Sequence, residues 1–253
     1  MNEGRWITIN GKHIFLKEGQ SPMDAFIRSK GKSNAHFEYA IKDVTKDDDI
    51  YNEMSDESYN KLEKNERREI RALYIGTEHS YDFNEALRED KKETRFLMED
   101  DFESLKKSLD KACETYTAKQ DLKSTRFVDL NYLRNAYGLD IPEYGDIDRN
   151  KVADSMKEFI GSELSSKSYT SVSLNESGNG MFNNLAVKME IDMPKGTKMY
   201  VSDNLSEYEA ILGRNKLMTL KDVKFKPSNV KGMENEYGKI LLTYEVIEDE
   251  KQK

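Results

Sequence analysis

Two short strand patterns flank a polar turn in the segment Gly196-Thr-Lys-Met-Tyr-Val-Ser-Asp-Asn-Leu-Ser-Glu-Tyr-Glu-Ala-Ile-Leu212. The second pattern begins with Glu207 and Glu209, which one tyrosine separates. If Glu207 to Leu212 is a strand, side chains two apart project from the same face, and both carboxylates point the same way. The other face of that strand is then apolar, with Tyr208, Ala210 and Leu212.

Two carboxylates on one surface repel each other, which shifts at least one pKa and suits acid–base or cation-stabilising chemistry. Charged residues make up 35% of the chain, so a solvated strand face is the alternative interpretation. The surrounding sequence therefore has to decide between a site and an ordinary surface.

Composition excludes several classes of protein. The net charge of -8 argues against a general nucleic-acid binder, because a phosphate-tracking surface needs an excess of basic residues. Cys113 is the single cysteine, which excludes an intramolecular disulfide, and His13, His36 and His79 lack metal-ligand spacing. We therefore expect no metal site. No apolar run approaches membrane-spanning length, so we expect a soluble protein without a membrane span.

The N-terminal part of the chain reads as an appendage. Residues 5–18 predict a β-hairpin, because Asn10-Gly11 is a strong two-residue turn signal between runs of β-formers. The polar stretch from about 19 to 49 predicts a connector. We therefore divide the chain into residues 1–50, an appendage, and residues 51–253, the main domain.

The main domain has helical patterns first and strand patterns last. Helices are predicted over 57–75, after Ser80-Tyr81-Asp82, and over 97–117 and 150–160, with Ser55 as a helix cap. Strands are predicted over 123–130, 168–174, 185–193, 198–201, 207–212, 217–225 and 239–247. This order favours an α+β domain over a repeated βαβ unit.

Four motifs over residues 57–248 occur in an order that resembles the Arg–Ser–Glu class of mono-ADP-ribosyltransferases. That class includes clostridial actin-modifying toxins and Rho-modifying exoenzymes. The motifs are Leu73-Tyr-Ile-Gly-Thr77 followed by Tyr81-Asp-Phe-Asn-Glu-Ala-Leu-Arg88, then Arg126, then Tyr169-Thr-Ser-Val-Ser-Leu174, and finally Met193-Pro-Lys-Gly196 with Ser206-Glu-Tyr-Glu-Ala-Ile-Leu212. The resemblance implies N-terminal helices packed on a two-sheet β-sandwich with an NAD-binding cleft, and NAD+ as a substrate.

The resemblance also implies catalytic roles. Glu209 matches the glutamate that stabilises the oxocarbenium-like state, and a preorganised carboxylate facing developing positive charge does lower a barrier. Ser171 matches the serine that orients this glutamate. Glu207 occupies the position where glutamate accompanies arginine modification and glutamine accompanies asparagine modification. The resemblance therefore implies an arginine of a target protein as the acceptor.

Five residues are implied in NAD+ binding. Arg126 matches the arginine that binds the phosphates, where a bidentate fork meets an anion. Asn84 matches an asparagine that helps to hold the nucleotide, and Phe182 corresponds to an aromatic that closes on nicotinamide. Tyr81 and Ser173, from the same motifs, complete the expected set.

The sequence departs from the family pattern at two positions. Val172 replaces the usual central threonine of the serine motif, and Phe127 follows Arg126 where actin-modifying members often carry a second arginine. The second change argues against an actin target. No histidine motif matches the His–Tyr–Glu class to which diphtheria toxin belongs.

The segment Arg5-Trp-Ile-Thr-Ile-Asn-Gly-Lys-His-Ile14 resembles a stretch of phage minor head proteins of the Mu F type. A plain hairpin is the alternative interpretation. We therefore expect either a secreted effector or a phage-associated protein that acts in a host cytoplasm.

Three functions remain open from the sequence. The first is mono-ADP-ribosyl transfer to an arginine of a target protein, with release of nicotinamide. The second is NAD+ glycohydrolysis, in which water replaces the acceptor. The third is a non-catalytic phage head component. The motif set of Arg126, Ser171 and Glu209 argues against the third, and the first is the leading hypothesis.

Overall fold

The computed structural model describes residues 4–9, 12–17, 48–75, 79–176, 182 and 184–247. Strands β1 (Gly4–Ile9) and β2 (Lys12–Lys17) pair antiparallel, which confirms the predicted hairpin. Most of the predicted connector and the dipeptide Gly76-Thr77 lie outside the described residues. Within the described ranges, no helix is both long and apolar enough to cross a bilayer.

Six α-helices occur in the described part of the chain: α1 (Asp48–Asn60), α2 (Lys64–Leu73), α3 (His79–Arg88), α4 (Glu99–Ala112), α5 (Leu130–Tyr137) and α6 (Arg149–Met156). A 3-10 turn, Lys157–Phe159, extends α6. The helix predicted over 97–117 ends earlier, at Ala112, because the chain turns there into a strand at Tyr116.

The single helix predicted over 57–75 is wrong, because two helices meet there. α2 starts afresh after Glu63, whose backbone N–H donates to the Glu66 carboxylate at 2.8 Å, a helix-capping bond. α1 begins inside the predicted connector, and Ser55, predicted as a cap, is a buried residue in its middle. Helix α1 forms from a polar sequence because two acidic residues occupy its first turn and a few apolar side chains are buried: Ile50, Tyr51 and Met54.

Helix α5 was not predicted, although its ends carry clear signals. The Asp129 side chain accepts from the Tyr132 backbone N–H at 3.1 Å, as an N-cap does. Gly138 ends the helix in the left-handed region, with φ of 65°. The helix packs Leu133 and Tyr132 against the hydrophobic core.

Within the part of the chain that the structure describes, nine strands form one mixed sheet in the order β3-β8-β9-β6-β4-β7-β11-β10-β5. Their bounds are β3 Tyr116–Thr117, β4 Leu122–Val128, β5 Glu163–Ser165, β6 Thr170–Ser173, β7 Val187–Met193, β8 Lys198–Val201, β9 Glu209–Leu212, β10 Leu217–Lys226 and β11 Lys239–Val246. The α+β class is confirmed. The two expected sheets are joined through β4 and β6, whose register consists of one pair, Thr125 with Ser173.

Strands β6 and β9 are covered on both faces. On one face, Val172, Ala210 and Leu212 belong to a first core that includes the apolar side chains of α1. On the other face, Tyr169 and Ile211 belong to a second core that includes residues of α2, α3 and α4. Two polar side chains of these strands, Ser173 and Glu209, are buried, whereas Thr170 and Ser171 stay partly exposed.

Gly238 provides a test of the β10–β11 connection. A Cβ atom at this position would lie 2.2 Å from Cζ of Phe225 and 2.8 Å from the carbonyl oxygen of Glu234. We therefore expect Gly238→Ala to lower the free energy of unfolding by about 1–3 kcal/mol, measured by urea denaturation.

Gly213→Ala is the matched control. Its added Cβ would meet Cβ of Cys113 at 3.5 Å, an ordinary contact. We expect its urea midpoint to equal or exceed that of the wild type. Equal midpoints for wild type and Gly238→Ala would contradict the close approach at Phe225.

Candidate active site

The two glutamates of the central motif lie in different backbone environments. Strand β9 begins at Glu209, and Tyr208 adopts a left-handed conformation with φ of 48°. The backbone N–H groups of Glu207 and Tyr208 both donate to the carbonyl oxygen of Asn204, at 3.2 and 3.0 Å, so Glu207 belongs to a turn. The prediction that Glu207 starts the strand is therefore wrong. The apolar face was predicted correctly, since Tyr208, Ala210 and Leu212 all join the first core.

Glu209 is a buried carboxyl group, with 8% of its surface exposed. Burial raises its pKa to about 7, with a smaller contribution from the charge of Glu207. Hydrogen bonds from the Ser171 and Ser202 hydroxyls and the charge of Arg126 lower the pKa in the opposite direction. Among the described residues, its Oε2 atom has no hydrogen-bond partner. Glu209 therefore has an acceptor atom left to offer a ligand.

Strands β6 and β9 are neighbours, and the side chains of Ser171 and Ser173 project from the same face of the sheet as the side chain of Glu209. Ser173 is the register partner of Glu209, and Ser171 is the partner of Ile211, two residues along. The hydroxyl of Ser173 donates to the carbonyl oxygen of Glu207 at 2.7 Å and accepts from the Asn175 N–H at 3.2 Å. Ser171 thus reaches the Glu209 carboxyl, whereas Ser173 holds the backbone of the turn.

Two arginines from separate elements reach this region. Nη1 of Arg126, on β4, donates to the carbonyl oxygen of Ser171 at 2.8 Å. Burial raises the pKa of Tyr132, and the charges of both Arg126 and Arg88 oppose that rise. The charges of both guanidinium groups therefore act on one tyrosine hydroxyl, and two such cations suit a group with two negative charges.

Sequence reasoning quoted Arg88 within a motif but gave it no role. As the last residue of α3, it looks like a cation that complements the carboxyl end of a helix. Its Nη1 donates to the hydroxyl of Ser168 at 3.3 Å, just before β6. The motif spacing was the only signal that could have identified it.

Tyr74 is a second residue that the sequence reasoning missed. Burial raises the pKa of its hydroxyl, and the charge of Glu209 raises it further. A hydrogen bond with Ser171 and the charge of Arg126 lower this pKa. Nδ2 of Asn84 donates to this hydroxyl at 2.8 Å. The Tyr74 pattern indicated only a core-facing helical residue, because periodicity reports burial and not the position of a hydroxyl.

Asn84 connects three elements. Besides its bond to Tyr74, its Oδ1 accepts from the backbone N–H of Tyr169 at 3.0 Å. The amide therefore ties α3 to the residue that precedes β6 and to the end of α2. In this structure the Asn84 amide thus holds neighbouring residues in place, and its contact with the nucleotide stays a prediction.

Tyr81 and Phe182 lie at the surface, with 69% and 45% exposure. Among the described residues, neither ring makes a hydrogen bond or a ring contact with Glu209, Ser171 or Arg126. The structure therefore does not bring these two predicted cofactor contacts into the cluster.

The structure thus assembles a candidate cluster of Glu209, Ser171, Arg126, Arg88 and Tyr74, with Glu207 on the adjoining turn. It combines a buried carboxyl group, which can stabilise positive charge, with two guanidinium groups, which can bind anions. A substrate with a cationic reacting centre near a diphosphate fits this combination.

A family model described as ADP-ribosyltransferase exoenzyme matches residues 50–248. The comparison with curated proteins returned no match. Among solved structures, Plx2a, an ADP-ribosyltransferase toxin from Paenibacillus larvae, is 20% identical, with a TM-score of 0.65 over 84% of this chain and 100% of that one. The C3 exoenzyme of Clostridium limosum is 17% identical, with a TM-score of 0.64 over 84% of this chain and 98% of that one.

A third solved structure is BECa, an ADP-ribosylating toxin of a binary enterotoxin of C. perfringens, determined with NADH. It is 16% identical, with a TM-score of 0.66 over 97% of this chain and 55% of that one. At these identities the structural matches establish the fold.

The raised pKa of Glu209 gives a prediction about stability. The pKa of Glu209 is about 7 in the folded chain, against an ordinary value of 4.5. Between these two pH values the carboxyl group stays protonated in the folded state and is ionised in the unfolded state. Titration of Glu209 therefore lowers the free energy of unfolding as pH rises, by roughly 3 kcal/mol in total. Glu209→Gln cannot titrate, so the wild type should lose about this much relative to the variant between about pH 4 and about pH 8.

Urea unfolding of both chains at several pH values measures the difference. Glu143→Gln, at an exposed loop glutamate, serves as the control for the exchange of one carboxylate at the surface. A constant difference between wild type and Glu209→Gln would show that Glu209 is not buried as described.

Proposed function

The chain belongs to the ADP-ribosyltransferase exoenzyme family, and we propose that it transfers ADP-ribose from NAD+ to an arginine side chain of a target protein. The observation that carries this proposal is the buried Glu209 carboxyl, whose Oε2 is unpartnered among the described residues and which lies beside Ser171. A second carboxylate, Glu207, adjoins it on a partly exposed turn.

Glu209 is proposed to stabilise the positive charge that develops on the ribose. The bond between C1′ and the nicotinamide nitrogen breaks, and nicotinamide leaves with the bonding electrons. A nitrogen of the acceptor arginine then bonds to C1′ and loses a proton. A preorganised carboxylate aimed at the developing charge lowers this barrier, because it needs no reorganisation during the reaction. Ser171 fixes its orientation.

The two arginines are proposed to hold the diphosphate of NAD+. Arg126 lies on strand β4 and Arg88 ends helix α3, and the charges of both act on the Tyr132 hydroxyl. Guanidinium groups bind phosphate oxygens bidentately, so two of them fix both the position and the direction of the nucleotide. Tyr81, Phe182 and Ser173 are retained as proposed contacts that a bound nucleotide would have to reach.

Glu207 is proposed to engage the acceptor. It is partly exposed, and its backbone is held by the bond from the Ser173 hydroxyl to its carbonyl oxygen. A carboxylate pairs with a guanidinium through charge-assisted hydrogen bonds, which favours arginine over a neutral acceptor. The same site with water as acceptor would be an NAD+ glycohydrolase, and the experiment below separates the two activities.

Three finer points stay proposals. Residues 51–253 form the catalytic domain with 1–50 as an appendage, which the family match to residues 50–248 supports. Action as a delivered effector on a target protein follows from the toxins among the similar structures. The resemblance of residues 5–14 to a phage head protein, and with it the non-catalytic alternative, rests on the sequence alone.

The proposed reaction gives a prediction about the acceptor. Nicotinamide release from NAD+ should rise when agmatine is added as an arginine mimic, with ADP-ribosyl-agmatine as the product. Glu209→Gln should lower release with and without agmatine by about 100-fold or more, because the transition-state charge loses its partner. Glu207→Gln should abolish the agmatine product and leave hydrolysis within about threefold of wild type.

Glu143→Gln, on an exposed loop, is the control and should behave as wild type. Release that ignores agmatine in the wild type would favour the glycohydrolase. Equal loss of both activities in Glu207→Gln would contradict the separate roles of the two glutamates.

The second prediction concerns Arg88. Arg88→Lys keeps the charge but loses the bidentate fork, so KM for NAD+ should rise by about tenfold, with a smaller change in kcat. Steady-state kinetics of nicotinamide release measures both. Arg68→Lys, at an exposed arginine of α2, is the matched control. An unchanged KM in Arg88→Lys would remove Arg88 from the proposed phosphate site.

A further inference from the structure

Tyr51 contacts the loop that precedes Glu209 at three points. It lies in α1, its side chain is fully buried with 0% exposure, and its hydroxyl donates to the carbonyl oxygen of Glu209 at 3.1 Å. The same hydroxyl lies 3.4 Å from Oγ of Ser202 and 3.4 Å from the carbonyl oxygen of Asn204. One side chain therefore connects the beginning, the middle and the end of residues 202–209.

The ring of Tyr51 makes a second kind of contact. It packs edge-on against the ring of Tyr208, with 5.0 Å between centroids. The hydroxyl of Tyr208 in turn donates to the carboxylate of Asp48, in the first turn of α1. Tyr208 holds a left-handed backbone conformation that residues with a Cβ rarely adopt. Helix α1 thus contacts both the ring and the hydroxyl of Tyr208.

These contacts bear on the direction of the Glu209 side chain. The carbonyl oxygen of Glu209 accepts from Tyr51 and also from the backbone N–H of Ser202, at 3.0 Å. The hydroxyl of Ser202 reaches the Glu209 carboxyl as well. Because the backbone at Tyr208 sets where the following residue points, loosening these bonds would turn the carboxyl group away from its present position.

Building on the function proposed above, we propose that Tyr51 is a positioning residue for the transfer reaction. Its hydroxyl and ring hold residues 202–209 in the conformation that aims the Glu209 carboxyl at the ribose and keeps Glu207 on the turn beside it. Tyr51 does this through Glu209, Ser202 and Tyr208.

Tyr51→Phe in the full chain tests the proposal, because it removes the hydroxyl and keeps the ring. We expect kcat for nicotinamide release to fall by about tenfold while KM for NAD+ stays within about twofold, since a misplaced catalytic group slows the reaction without removing substrate contacts. In the free protein, amide hydrogen exchange of residues 202–208 should become about tenfold faster, and exchange in β7 and β11 should not change.

Tyr116→Phe is the matched control. Tyr116 is also buried and lies near α1, but within the described residues its hydroxyl has no hydrogen-bond partner. Both its kinetics and its amide exchange should equal those of wild type. Tyr208→Phe, which removes the bond to Asp48, provides a second variant should Tyr51→Phe fail to fold, and a fall in kcat at constant KM is again expected.

The outcomes separate the two proposals. Faster exchange confined to residues 202–208 together with a lower kcat supports the positioning role. The positioning role is overturned if Tyr51→Phe has the kcat of the wild type, or if its KM rises by the same factor by which kcat falls. It is also overturned if amide exchange becomes faster throughout the chain. A wild-type chain that releases no nicotinamide would instead overturn the proposed function, and amide exchange would still decide whether Tyr51 holds the loop.

Discussion

The burial of the Glu209 carboxyl group is the constraint on which the rest of the site depends. Strands β6 and β9 are covered by a core on each face, so a carboxyl group on β9 loses most of its hydration. Burial alone would keep it protonated, and a neutral group cannot stabilise a cation. The hydroxyls of Ser171 and Ser202 and the charge of Arg126 counteract burial, and the result is a pKa of about 7. Each of these neighbours thus helps to keep a buried carboxyl group partly ionised near neutral pH.

The helices act on the site through polar atoms at their ends as well as through apolar packing. Asn84 of α3 joins the Tyr74 hydroxyl to the backbone before β6, and the Tyr169 hydroxyl donates to Asp110 of α4 at 2.7 Å. Asp110 also pairs with Arg214, which follows β9. Both of these strands are thus tied to helices by partly buried hydrogen bonds, which are costly to leave unmade and therefore restrict the geometry.

The sequence predicted those parts of the molecule that depend on residue type at regular spacing. The alternation over 185–193 predicted β7, and the motifs identified Arg126, Ser171 and Glu209, whose side chains influence one another in the structure. Helix α1 was missed because its sequence is polar and its burial comes from contacts with residues about 150 positions away, such as the Tyr51–Glu209 bond. The left-handed Tyr208 was also missed, since tyrosine carries no signal for positive φ and the conformation is imposed by its neighbours.

The left-handed residue also changes how the Glu-x-Glu pair works in the proposed reaction. On a regular strand, both glutamates would be held equally by the cross-strand ladder. Instead, Glu209 lies in the ladder opposite Ser173, whereas Glu207 lies on a turn held mainly by its backbone. The fixed carboxyl group suits the proposed nucleotide substrate, because the same molecule binds in every reaction cycle. The carboxylate on the turn suits a side chain presented by another protein, whose approach depends on the surface around it. Separating the two glutamates by one strained residue allows a single short motif to serve both purposes.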